Sequence, residues 1–373
     1  MRPRLKSASN GGGTRPGRRA AVAALLMVCA VAMAGASQAQ GRADRRQQEK
    51  SEEAARKEGE ALLSLADEAM SGRVVSDFSI GWRNDFFKAQ AGTFVPFTVT
   101  IDRSKLAGTR ALMYVRAARR ESPPQVRSRG PVQYPFDIIF PLDLTGLPAQ
   151  PLRITRGFAV PPGEYDVYVA VRERPPDSPG AAVRLKAAVL KQPLSVPDFW
   201  TGELTTSSIV LADRIDTLPE AIAPDDILER PYVIGQNEIH PAASSVFQRN
   251  RELIVVFLIY SPTVSAEKDF DVQVDYHLFR RTAGHAVAEP DASGAHPPPR
   301  PGELYVTRTN PQRFKPSLMG AHFDPAAGHP MMAGQGILLS SFQEGEYRLG
   351  ITVTDLLSRK TLSRDVAFTV VGS

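Results

Sequence analysis

One cysteine, Cys29, occurs in 373 residues. That excludes an intramolecular disulfide framework and a zinc site built on cysteine. The main apolar run, Ala20 to Ala34, has 15 residues, short of the roughly 20 that a spanning helix needs. There is no phosphate loop, no dinucleotide glycine fingerprint and no aromatic-basic RNA motif. No histidine precedes His240. What is present is ordinary for a globular chain, with 42% hydrophobic and 23% charged residues. This excludes wholesale disorder and a polytopic membrane protein. Thirty-one prolines favour strands, turns and loops over long helices. The length suits two domains of about 100–200 residues each.

Residues 1–39 read as an export signal. Arg2, Arg4, Lys6, Arg15, Arg18 and Arg19 form a basic start without a carboxylate. The apolar run follows, and then the small residues Gly35, Ala36, Ser37 and Ala39. Cleavage is expected after Ala39 or Ala36. Arg18-Arg19 lacks the polar and aromatic context of a twin-arginine signal. Cys29 follows Val28 inside the apolar run, which argues against a lipidated cysteine. Cleavage removes six basic groups from a chain of 45 basic and 40 acidic residues, leaving a net charge of −1. No general basic field then remains to attract nucleic acid. The expected location is periplasmic or extracellular, with an inner-membrane anchor only if the signal stays uncleaved. No transmembrane span is expected after cleavage.

Residues 40–72 read as a charged helix and linker. From Arg42 to Ser71 there is no proline, and Ala, Glu, Arg, Lys and Leu dominate. Glu52 with Arg56 and Glu53 with Lys57 stand at i,i+4 in the favourable order. An apolar stripe begins only at Leu62, continuing through Leu65, Ala66, Ala69 and Met70. The second half is therefore expected to dock on its own domain, with Gly72 as the stop. Self-association through 42–71 is the competing use of the same stripe.

Beyond Val74 the period becomes two. Phe78, Ile80 and Trp82 alternate with polar residues or glycine, as do Phe97, Val99 and Ile101, and Tyr165, Val167, Val169 and Val171 form another face at the same spacing. Half-buried antiparallel strands are expected. No helical pattern intervenes, which excludes a doubly wound α/β fold.

The strands recur in the same order twice. One set runs through Phe97–Ile101, a strand ending in Arg119-Arg120, a loop at 121–131, Phe136–Leu142, and Phe158 leading to Gly163-Glu164-Tyr165. The other runs through Leu253–Tyr260, a strand ending in Arg280-Arg281, a loop at 282–302, Leu304–Thr307, and Phe342 leading to Gly345-Glu346-Tyr347. The arginine pairs lie 161 residues apart and the Gly-Glu-Tyr triplets 182. Insertions therefore fall between those markers in the second set. The boundary falls near Pro197 to Gly202, giving modules at 73–197 and 198–373, the latter with long loops at 282–302 and 310–336.

Each Gly-Glu-Tyr opens an alternating strand. The glycine supplies turn geometry, and the tyrosine can bury its ring while its hydroxyl bonds back to the corner. This resembles the tyrosine corner of immunoglobulin-like and fibronectin-like β-sandwiches. The Cys…Trp…Cys spacing of antibody domains is missing. The second module, ending in Tyr347 to Val371, also looks like the closing β module of exported bacterial proteins with no assigned chemistry. The resemblance implies a mainly β protein of two antiparallel Ig-like sandwich modules, preceded by the signal and the helix.

No catalytic or cofactor-binding residue is expected, and no metal site. His240, His277, His285, His296, His322 and His329 show neither helical nor hairpin ligand spacing. His322 with Asp324 is the pair to inspect. Asp225-Asp226 follows Ala-Pro and reads as a helix start. Asp269, Asp271 and Asp275 lack the glycine turn of a calcium loop. Ser340 and Ser341 read as strand hydroxyls. Phe86-Phe87 beside Trp82 reads as core, and the arginine pairs as solvated strand ends.

The expectation is an exported, non-enzymatic binding or structural protein of the cell envelope. Its partners would be other envelope proteins or cell-wall material, met through sandwich loops. The competing expectation is a polysaccharide- or peptide-directed hydrolase with its site in the histidine-bearing second module.

Overall fold

The computed structural model describes residues 38–120, 132–148, 150–175, 184–282, 297–320 and 323–372. Residues 1–37 of the expected signal at 1–39, the loop 121–131, most of the loop 282–302, and His285, His296 and His322 lie outside the described residues.

Helix α1 covers Gln38–Met70, close to the proline-free stretch. Gly72, at φ +92°, ends it. There the Arg73 N–H reaches back to the Glu68 carbonyl at 2.9 Å, a left-handed C-terminal cap. Glu53 and Lys57 pair at 2.8 Å, whereas Arg56 turns to Glu60 at 3.8 Å. No described helix is long and apolar enough to cross a membrane.

The strands are, in chain order, β1 (Ile80–Asn84), β2 (Phe87–Ala89), β3 (Gly92–Ile101), β4 (Arg110–Arg119), β5 (Phe136–Asp143), β6 (Leu152–Val160), β7 (Gly163–Glu173), β8 (Ala187–Val196), β9 (Thr205–Thr206) and β10 (Val210–Thr217). After them come β11 (Val233–Ile234), β12 (Asn237–Pro241), β13 (Val246–Gln248), β14 (Glu252–Tyr260), β15 (Val272–Arg281), β16 (Glu303–Arg308), β17 (Gln312–Phe314), β18 (Met331–Leu338), β19 (Gly345–Asp355) and β20 (Thr361–Val371). The protein is mainly β. Pairing is antiparallel in β4–β5, β4–β7, β10–β14, β14–β18, β15–β19 and β19–β20, whereas β13 runs parallel to β20.

The chain divides into two compact units. The first comprises 1–81, 100–152 and 164–195, and the second 82–99, 153–163 and 196–373. The first holds α1 and the sheet β5-β4-β7-β8. Strand β4 is buried from Ala111 through Ala118 on both faces, where half-burial was expected. The reason is α1. Leu62, Ala66 and Ala69 pack on Leu112, Tyr114, Ala118, Tyr168, Ala170 and Val189. The late apolar stripe thus docks on its own unit. Met70 differs, remaining 40% exposed.

The second unit contains the sheets β11-β12-β10-β14-β18 and β13-β20-β19-β15-β16. They share one core. Leu253, Val255, Phe257 and Ile259 of β14 meet Val272, Val274, Tyr276 and Leu278 of β15 and Leu349, Ile351 and Val353 of β19. The arrangement is compatible with a β-sandwich. A second cluster gathers Phe87, Phe199, Tyr232, Ile239, Leu258 and Tyr260. Trp82 stacks on Phe97 with centroids 4.6 Å apart. Trp82 and Phe87 therefore pack rather than form a platform.

Two segments differ from expectation. The stretch 310–336 is not one long loop, because β17 and most of β18 lie in it. It carries the chain from the edge of β15 to the edge of β14. Alternation at Met331, Ala333 and Ile337, all buried, is what seats β18. Ser340 and Ser341 belong to a 3-10 turn over Leu339–Ser341, not a strand. Leu339 is fully buried there and pins the turn between β18 and β19.

Candidate functional site

Three parts of the second unit, residues 261–271, 323–330 and 355–360, meet beside β15 and β19. The turn after β19 is organised by Asp355, which is fully buried. One carboxylate oxygen accepts the N–H of Leu357 at 3.0 Å and of Ser358 at 3.2 Å, and the other accepts the N–H of Thr263 at 2.8 Å. Burial works against the Asp355 charge, but the bonds from Thr263 and Ser358 outweigh it and hold the carboxyl below its usual range. Leu356 N–H donates to the Asp271 carbonyl at 2.8 Å. Arg359, at φ +60°, closes the turn. Neighbouring ties are Arg313 to Asp271 at 2.7 and 2.5 Å, Lys360 to Glu203 at 2.6 Å, and Phe270 against Phe323.

On this fixed frame Leu356 and Leu357 face outward, 37% and 45% exposed, and Leu318 is 60% exposed. Sequence reasoning did not single out 355–359. The available signal was two leucines at a position where turns carry polar residues.

Asp324 is the described half of the pair to inspect. Its carboxylate accepts the Ala327 N–H at 3.3 Å and stands 3.6 Å from Lys268, while its own N–H donates to His329 Nδ1 at 3.1 Å. It caps a 3-10 turn at Pro325–Ala327. His240 meets Asp216 at 2.8 Å, beside Arg214 at 3.0 Å. His277 is buried next to Tyr305. Asp225 and Asp226 stand in the first turn of a short 3-10 helix, Pro224–Leu228. Asp271 is held by Arg313, and Asp275 accepts from Gln273 at 3.0–3.1 Å. Among the described residues no three His, Cys, Asp or Glu side chains gather as a metal would need.

The arginine pairs are tied down rather than simply solvated. Arg119 Nε donates to Tyr165 Oη at 3.1 Å, and Arg120 to Asp166 at 2.8 Å. Arg280 bonds the Gln343 side chain, and Arg281 bonds Glu346 at 2.9 Å. Asp166 is held below the usual carboxylate range. Burial opposes that shift, and bonds from Lys191 and Arg120 overcome it.

A polar assembly that sequence reasoning missed lies elsewhere in the second unit. Tyr232 Oη donates to Asp85 Oδ2 at 2.6 Å, and both residues are buried. Desolvation pushes the Asp85 carboxyl up, against the bond from Tyr232 and the charge of Arg83. The partners are 147 residues apart in the chain, so no local pattern announces them.

Compared with known proteins, the chain matches no family model and no curated protein.

Proposed function

We propose that this is an exported, non-enzymatic binding or structural protein of the cell envelope, built from tandem Ig-like modules that recognise a partner through sandwich loops. The observation that carries the reading is the turn held by Asp355. A buried carboxylate spends its bonds fixing a backbone whose outward side chains are leucines. Preorganised apolar residues at a sheet end favour docking over turnover. A neutral to slightly negative mature chain fits protein or cell-wall partners better than nucleic acid.

The tandem reading draws support from strand register. Arg119 stands opposite Tyr165 in the β4–β7 pair, and Arg280 opposite Tyr347 in the β15–β19 pair. Gly163 and Gly345 share the same left-handed backbone, at φ 141° and 143°. Tyr347 Oη donates to the Gln343 carbonyl at 2.7 Å, the back-bond of a tyrosine corner.

The test is photo-crosslinking from position 357 in intact cells, followed by mass spectrometry. Specific envelope proteins, lost in a folded Leu318→Ser/Leu356→Ser variant that keeps the crosslinker at 357, are expected. Capture unchanged by the substitutions, or no capture at all, would overturn the loop reading. N-terminal sequencing of the exported chain tests cleavage after Ala39 or Ala36.

A further inference from the structure

Five methionines fall among the described residues, and Met70 is the exposed one. Met113 and Met331 are fully buried, while Met70 is 40% exposed and Met319 and Met332 are half-buried. Met70 is also the last residue of α1. Its sulfur accepts from Arg116 Nη1 at 3.3 Å and from Tyr134 Oη at 3.6 Å. The same Nη1 pairs with Asp67 of α1 at 2.5 Å. The Arg116 guanidinium lies 4.1 Å from the centre of the Tyr134 ring. The thioether of an exposed residue thus takes part in the polar latch that seats the end of α1 on its sheet.

We propose that Met70 is an oxidation site, and that its sulfoxide loosens the last turn of α1 from the sheet of the first unit. The oxidant is a peroxide. Its O–O bond breaks, one oxygen bonds to the Met70 sulfur, the sulfur loses two electrons, and the peroxide leaves as water or an alcohol. Thioethers undergo this step without a catalytic group, and methionine sulfoxide reductases reverse it.

Both placements of the new oxygen weaken the latch. Pointing inward, it has no room in a sulfur–nitrogen gap already at contact distance, so the turn must shift. Pointing to solvent, it leaves a positively polarised sulfur facing the guanidinium of Arg116. The thioether that accepted a hydrogen bond becomes a group that repels the donor. Asp67 then holds Arg116 without that help.

The experiment uses the full chain treated with dilute hydrogen peroxide, followed by peptide mapping and amide hydrogen exchange. One added oxygen is expected at Met70 before Met319 or Met332. Exchange across residues 66–73 should rise about fivefold, the change that loss of one sulfur contact of this kind supports. Repair with methionine sulfoxide reductases should restore the original rate in the same sample. Met70→Leu should show no peroxide response in this segment. Earlier oxidation of Met319 or Met332, or sulfoxide at Met70 with unchanged exchange at 66–73, overturns the proposal. The comparison of oxidised with repaired wild-type protein keeps it falsifiable should Met70→Leu fold poorly.

Discussion

Asp67 and Arg116 pair at 2.5 Å across the joint between helix and sheet, with Arg116 only 2% exposed and Asp67 51% exposed. Burial disfavours the Arg116 charge. Asp67 and the hydroxyls of Tyr114 and Tyr134 more than compensate, so its pKa stands above the ordinary value. Arg116 Nε also donates to Tyr114 Oη at 2.6 Å. An arginine in mid-strand is tolerated here because each face of its charge meets a partner.

Breaking that pair from one side should cost more than removing it whole. Asp67→Ala leaves a buried cation short of its main counter-charge. We expect a loss of about 1–3 kcal/mol, below the range for fully buried pairs because Asp67 is half in water. Adding Arg116→Met should recover most of the loss. A double-mutant cycle by urea unfolding measures the coupling. Additive effects would show that the pair does not lock the helix.

Asp355 should show its role on the acid side. Its folded pKa is depressed, so its contribution is present above the unfolded value and is lost as pH falls through the folded one. Asp355→Asn should therefore be less stable than wild type at pH 7, by about 1–3 kcal/mol. The gap should narrow below about pH 4. Thermal unfolding of both proteins from pH 2 to 7 gives the comparison, and a gap independent of pH would contradict it.

For Asp85 the sign reverses. Its folded pKa is raised, so the folded state prefers the protonated carboxyl. That contribution is complete below the unfolded pKa and fades as pH rises through the folded one. Asp85→Asn keeps an acceptor for Tyr232 without the charge. The variant should gain on wild type as pH rises from 4 towards 8, read as the difference in melting temperature. Parallel curves would mean that Asp85 does not titrate in this range.

Gln312 guards the edge strand β18. Its side-chain nitrogen donates to the Gly334 carbonyl at 2.6 Å, and its oxygen accepts from the Gly334 N–H at 3.3 Å and from Tyr276 Oη at 2.6 Å. The amide thus occupies the backbone groups of Gly334, midway along a strand that carries no charged residue and no proline. Open edges of that kind recruit other chains. Gln312→Leu should cost about 1–3 kcal/mol through unpaired groups and produce concentration-dependent association in sedimentation velocity. A monodisperse variant would show that the edge is guarded by something else.

Sequence by itself determined what depends on neighbours along the chain. Alternation in Tyr347, Leu349, Ile351 and Val353 marked the inward face of β19, and all four are buried. The late stripe Leu62, Ala66 and Ala69 named the face by which α1 docks, because 3.6-residue spacing is a local property. Gly72, Gly163 and Gly345 signalled backbone that side chains resist. Tertiary structure decided what depends on meeting across the chain. Nothing local to Arg116 provides its counter-charge, and Asp67, 49 residues away, meets it only through folding. Asp85 finds Tyr232 through folding alone. Met331 to Leu338 was read within a loop, since two glycines weaken its local strand preference. Pairing along all of β14 overrides that preference, because ladder bonds and a buried face are gained together. The outward leucines at 356 and 357 follow the same rule. Their exposure is set by Asp355, which meets Leu357 and Ser358 locally but Thr263, 92 residues away in the chain, only through folding.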